Sequence, residues 1–113
     1  MANSFGNAKV DLTSTDNTTL YTTPTANVAL VKSILVSNDS GSGCNLDVTL
    51  TDSSGNVFSL FKTKTIATIT TTELLTQPLV MEESEILKVQ ASDANELHVI
   101  ASILQIQPRE VTT

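Results

Sequence analysis

Histidine, cysteine and clustered carboxylates are the side chains with which a small protein most readily binds metals or catalyses, and this sequence is sparing with all of them. Its single histidine, His98, sits between Leu97 and Val99 in an alternating stretch. A lone imidazole with no second ligand or orienting group at a recognisable spacing predicts a structural role. The single cysteine, Cys44, follows Ser40-Gly41-Ser42-Gly43 and so closes a turn. It has no partner for an intrachain disulfide and no basic neighbour in sequence to activate it, which predicts a small filler. Asp52-Ser53-Ser54-Gly55-Asn56 faintly echoes a calcium loop. It lacks the alternating oxygen ligands and closing Glu of such a loop and predicts a hairpin turn instead. Glu82, Glu83 and Glu85 cluster at a second turn, read as solvated. No G-x-S-x-G, HExxH, CxxC, GxGxxG or P-loop pattern occurs. No nucleophile, base and orienting group assemble, so the sequence predicts no enzyme, no metal ligands and no cofactor.

The elements that must position these residues are short strands. Val, Ile, Leu and Ala dominate the apolar set and Thr is frequent; β-branched side chains lose freedom in helices and pack well on a pleated surface. Strands are predicted at 9–12, 18–23, 28–37, 45–51, 57–63, 70–75, 79–81, 86–91 and 96–106. Ser14-Thr15-Asp16-Asn17, Pro24 to Asn27, Asn38 to Gly43, Asp52 to Asn56 and Ser92 to Asn95 are the turns between them. Strand 45–51 alternates cleanly, with Leu46, Val48 and Leu50 inward. Strand 28–37 is apolar on both faces: Val28, Leu30, Lys32, Ile34 and Val36 on one, Ala29, Val31 and Leu35 on the other. It is expected at the centre of a sheet, covered on both sides. Ile66 and Ile69 are out of phase, which predicts a bulge or break near Ala67-Thr68. Strands punctuated by turns roughly every ten residues predict an all-β fold: an antiparallel β-sandwich, jelly-roll-like, of eight or nine short strands.

At 113 residues the chain makes one domain. Residues 1–8 are polar and small apart from Phe5, and read as an extended N-terminal arm. Residues 9–107 form the sandwich and 108–113 a C-terminal tail. Phe5 is the candidate subunit contact, because a ring left in water gains nothing and one buried in a partner's groove contributes roughly 1.5–3 kcal/mol. The formal net charge of −6 disfavours binding to a phosphate backbone. Lys62 and Lys64, the only basic residues close in sequence, would share a solvated strand face. The N-terminus has no basic and apolar segments of a secretion signal, and no apolar run is long enough to span a bilayer.

Leu20-Tyr21-Thr22-Thr23-Pro24, followed by the strand from Val28 to Ser37 with its Lys32-Ser33 and terminal Asn38, resembles a recurring pattern in small virion proteins of tailed bacteriophages, cyanophages included. Ile86 to Ser92 and Leu97 to Leu104 resemble the same proteins, so the likeness covers most of the chain. Thr23 stands where the pattern has an apolar residue. The resemblance implies a virion structural protein made in the bacterial host cytoplasm: a capsid decoration (cement) protein, or a neck, tail or fibre accessory subunit. It implies contacts with the major capsid protein or other virion proteins and a homo-oligomer, with a trimer favoured. A carbohydrate-binding β-sandwich is the rival from another class, and it is short of aromatics: Phe5, Tyr21, Phe58 and Phe61 are all there are.

Overall fold

Turn chemistry divides the chain into nine strands: β1 (Asn3–Leu12), β2 (Thr18–Thr22), β3 (Val28–Asn38), β4 (Cys44–Thr51), β5 (Val57–Ile66), β6 (Thr70–Glu73), β7 (Leu79–Met81), β8 (Ile86–Ala91) and β9 (Leu97–Ile106). The computed structural model describes residues 3–107; the expected tail at 108–113 and the first two residues of the expected arm lie outside the described residues. One sheet runs β1-β9-β3-β6, with β7 also paired to β3, and the other runs β2-β8-β4-β5. Every pairing is antiparallel. Strands from the two ends of the chain thus alternate in each sheet, which is jelly-roll order, with β6 and β7 sharing one edge position.

The inner faces of the two sheets make the core. Leu12, Val31, Ile34, Val36, Leu46, Val48, Ile66, Leu87, Val89, Leu97 and Val99 are almost wholly buried. They come from both sheets at alternate strand positions, as the pleat requires. Tyr21 of β2 donates its hydroxyl to Gln105 Oε1 of β9 at 2.7 Å, tying one sheet to the other. Burial raises the Tyr21 phenol above its ordinary value.

Strand β3 departs from the expected phase. Its pairing with β9 slips between Val31 and Ser33, so Lys32 is the extra residue of a β-bulge. The inner face therefore carries Ala29 and Val31 before the bulge, and Ile34 and Val36 after it. Ile34 and Val36 do not share a face with Val28 and Leu30. The strand is central in its sheet, but only its inner side is covered: Leu35, on the outer side, is 39% exposed. Between Ile66 and Thr70 the chain breaks and crosses from the four-stranded to the five-stranded sheet, which accounts for the phase change around Ala67-Thr68. Residues 3–8, expected as an arm, are extended and lie in register with β9, from Asn3 opposite Ile106 to Ala8 opposite Ala101.

Candidate functional site

Residues directly opposite on neighbouring strands project to the same side of a sheet, so the registers of β1, β9, β3 and β7 define what the outer face of the five-stranded sheet presents. One row across it reads Phe5, Leu104, Leu30, Val80. Two positions along the strands, Asn7, Ser102 and Ser33 make a polar row. The next reads Lys9, Ile100, Leu35, Glu73. Phe5 is 75% exposed, Val80 56% and Ile100 41%. An exposed sheet face with large apolar side chains in successive cross-strand positions is the kind of surface that proteins keep for a partner. The sequence candidate Phe5 lies on this face and does not enter the core.

His98 lies at the end of the same face, opposite Asp11 on one side and Ser37 on the other. Asp11, His98 and Ser37 are thus side by side in the order a hydrolytic triad would need. The imidazole is aimed elsewhere: Nε2 is 3.2 Å from Asp11 Oδ1 and Nδ1 is 4.0 Å from Asp39 Oδ2. Both ring nitrogens face carboxylates, which leaves neither to take a proton from the Ser37 hydroxyl. The pair is exposed to water, where such contacts contribute little.

Cys44 is buried beside the turn after β8. Its Sγ and carboxylate oxygens of Asp93 and Glu96 all lie within 4.8 Å of one another. Glu96 Oε1 accepts from Ser40 Oγ at 3.1 Å, and Oε2 is buried without a hydrogen-bond partner in the described structure. These three atoms are one ligand short of a closed tetrahedral site.

The acidic turns come together around one open concavity, with Asp52 and Ser53 on one side and Glu82, Glu83 and Glu85 on the other. Three of their carboxylates accept from backbone N–H groups. Asp52 Oδ1 accepts from the N–H groups of Ser54 and Asn56, both at 2.9 Å. The Asn56 N–H leads the interactions that hold this carboxyl below its ordinary range. Gly55, at φ 89°, supplies the positive φ the hairpin needs. Glu83 Oε2 accepts from the Ala26 N–H, and Glu85 Oε1 accepts from the Glu82 N–H at 2.7 Å.

No protein-family model matches the chain, and no curated protein matches it. Among the solved structures that align with it are these two. One is a pentameric capsid protein isolated from metagenomic phage sequences, at 19% identity and a TM-score of 0.46, over 90% of this chain. The other is of infectious bursal disease virus Gt strain, at 11% identity and a TM-score of 0.44, over 94% of this chain. The chain spans 60% and 31% of the length of those two chains.

Two residues that organise the molecule had no role assigned in the sequence. Glu73 fills the bulge in β3: its carboxylate accepts from the Ser33 hydroxyl, from the Ile34 N–H at 2.9 Å and from the Leu75 N–H at 3.1 Å. Burial pushes this carboxyl up, but these hydrogen bonds outweigh it and leave the group below its ordinary value. Asn38, buried at the end of β3, donates Nδ2 to Ser42 O at 2.9 Å and accepts at Oδ1 from the Ser40 N–H at 3.0 Å. It pins the loop that presents Cys44. Nothing in local spacing relates Glu73 to Ser33, forty residues away in sequence; Asn38 was visible only as the strand's terminal Asn.

Proposed function

We propose that this chain is a non-enzymatic structural protein of a bacteriophage virion, a capsid decoration protein that stabilises the head by burying surface against capsomers and its own copies. The observation that carries the reading is the outer face of the five-stranded sheet, where Phe5, Leu104, Leu30 and Val80 cross four strands in one row of a jelly roll. A jelly roll is an architecture that shells are built from, and burial of an apolar face is how subunits hold together. Two further observations support it. The pattern running from Leu20 through Asn38 resembles small tailed-phage virion proteins, and the resemblance implies the three-fold positions that decoration subunits commonly occupy. A second apolar feature, Val57 and Phe58 on edge strand β5, would give the protein separate surfaces for the shell and for its own copies.

Jelly rolls also serve lectins, and exposed Phe5 and Phe58 are the rings a carbohydrate module would use. They lie on strands of different sheets, which is a poor platform for one sugar.

The test is mass spectrometry and a density map of virions of the phage that encodes the chain. The expected result is a copy number that matches the capsomers, with density on the outer shell. Density confined to the neck or tail would transfer the protein to an accessory role. Absence from the particle, with saturable binding on a glycan array, would overturn the virion reading.

A further inference from the structure

We infer that a polar cavity on the outer face of the four-stranded sheet binds the vicinal hydroxyls of a pyranose sugar. Leu46, Val48, Leu87 and Val89 are buried in the core. The residues that alternate with them on β4 and β8, Asp47 and Gln90 among them, therefore lie on the outer face. Asp47 and Gln90 are directly opposite each other. The pairing of β4 with β5 jumps from Leu46 opposite Lys64 to Val48 opposite Phe61, so Lys62 and Thr63 both stand against Asp47 as a β-bulge. The bulged strand walls the cavity on one side through Thr63, and the loop between β1 and β2 does so through Thr15. The cavity measures about 300 Å³, at the small end of ligand sites, which run from roughly 300 to 1,000 Å³.

Three side chains that line it are each fixed at one end and open at the other. Asp47 Oδ1 accepts from the Thr63 N–H at 2.6 Å. That bond holds Thr63, a β-branched residue, at φ 54°, a strained conformation of the kind that clusters at ligand sites. Gln90 Nε2 donates to Thr15 O at 2.9 Å, and Asn45 Oδ1 accepts from the Thr65 hydroxyl at 3.1 Å. Asp47 Oδ2, Gln90 Oε1 and Asn45 Nδ2 have no hydrogen-bond partner among the described residues. The cavity thus offers two acceptors, one of them charged, and one donor. A hydroxyl both donates and accepts, so two adjacent hydroxyls answer that set. An ammonium only donates and would leave the Asn45 amide hydrogens unanswered. A phosphate would meet the Asp47 carboxylate on a protein of net charge −6.

Among the described residues no aromatic ring lines the cavity, so a single site binds weakly, with a dissociation constant on the order of millimolar. Its use on a virion rests on the proposed role; the cavity itself does not. A subunit docked through the outer face of the five-stranded sheet turns the other sheet, and this cavity, away from the shell. Many copies on one particle then raise a weak affinity by roughly 10²–10⁴.

The test is an NMR titration of the isotope-labelled full chain with methyl α-mannopyranoside, methyl α-galactopyranoside and methyl α-glucopyranoside, each to about 100 mM. At least one of the three should give saturable shifts at the Asn45 and Gln90 side-chain amides and at the Thr63 N–H. Tetrahydropyranyl methanol, the same ring without its ring hydroxyls, should leave them unmoved. Gln90→Ala changes an exposed side chain. It should keep the circular dichroism of the parent and weaken sugar binding about ten-fold, read at Thr63 and Asn45. Asp47→Asn keeps an acceptor for the Thr63 N–H, removes the charge and should weaken binding at least as much; Gln90→Ala carries the test if that change opens the bulge. No shift at the highest concentration, shifts that survive undiminished in Gln90→Ala, or shifts produced by putrescine and not by the pyranosides would each overturn the sugar site. The virion measurement above is independent. A chain found in virions without these shifts removes the sugar site and leaves the virion role standing, and sugar binding by a chain absent from virions does the reverse.

Discussion

Ile34 and Val48 are each fully buried in the core, one from each sheet. Truncating either to Ala removes methyl groups and leaves a cavity that a close-packed core refills only in part, a loss on the order of 2–4 kcal/mol. Urea denaturation should show that loss as a lower midpoint at constant slope, and a change under roughly 0.5 kcal/mol would mean the site is not packed. Glu73 has a pH signature. Its folded-state carboxyl lies below the ordinary value of 4.5, so its contribution is complete above that pH and is lost as pH falls through the lower folded value. Melting temperature should fall below pH 4.5 in the parent, and Glu73→Gln should flatten part of that fall while lowering stability at neutral pH. Equal acid slopes in both proteins would contradict this. Because Asp52 holds its own backbone, and Cys44, Asp93 and Glu96 offer only three ligand atoms, EDTA should leave the melting temperature unchanged. A fall restored by Ca²⁺ would revive the Asp52 loop as an ion site.

At the scale of elements, the strands were legible wherever one face was polar. Asn45 to Thr51 alternates and sits as its pattern says, with Leu46 and Val48 inward. Strand β3 was legible as a strand but not in phase. Both its faces are apolar, so no polar position betrays the slip at Lys32, and the residue that stabilises the slip, Glu73, comes from a distant strand. The outer apolar face was invisible for a related reason: Phe5, Leu30, Val80 and Leu104 join one row only through four-strand register. The break between β5 and β6 was legible from the phase of Ile66 and Ile69, and it carries strain. Ile69 sits at φ 52° and is 72% exposed. A β-branched residue in the left-handed region costs on the order of 1–3 kcal/mol, with no buried contact here in return. Ile69→Asn, a residue that tolerates this region, should raise stability by about 1 kcal/mol. An unchanged or lower melting temperature would mean that the Ile69 side chain has a contact that offsets the strain.

At the scale of the whole molecule, the jelly roll joins the ends of the described chain: β1 and β9, its first and last strands, lie side by side in unbroken register from Asn3 opposite Ile106 to Leu12 opposite Leu97. This makes residues 3–8 part of the sheet edge as well as the support for Phe5, and the two roles separate by mutation. Removing residues 2–8 strips the ladder partner from Ala101 through Ile106 of β9 and removes Ala8, which packs against the core. The truncated protein should keep a β circular dichroism spectrum but melt several degrees lower, since each kcal/mol lost shifts a domain of this size by about 4 °C. Phe5→Ser removes a ring that is 75% exposed, so it should leave the melting temperature of the monomer within the roughly 0.5 kcal/mol typical of surface changes. The same substitution should weaken self-association and incorporation into virions, because the ring's contribution is made on a partner's surface. If truncation leaves the melting temperature untouched while incorporation fails, residues 3–8 add nothing to their own sheet and serve solely as a docking arm. If Phe5→Ser melts as low as the truncation, the ring belongs to its own fold, and the outer face loses its candidate contact.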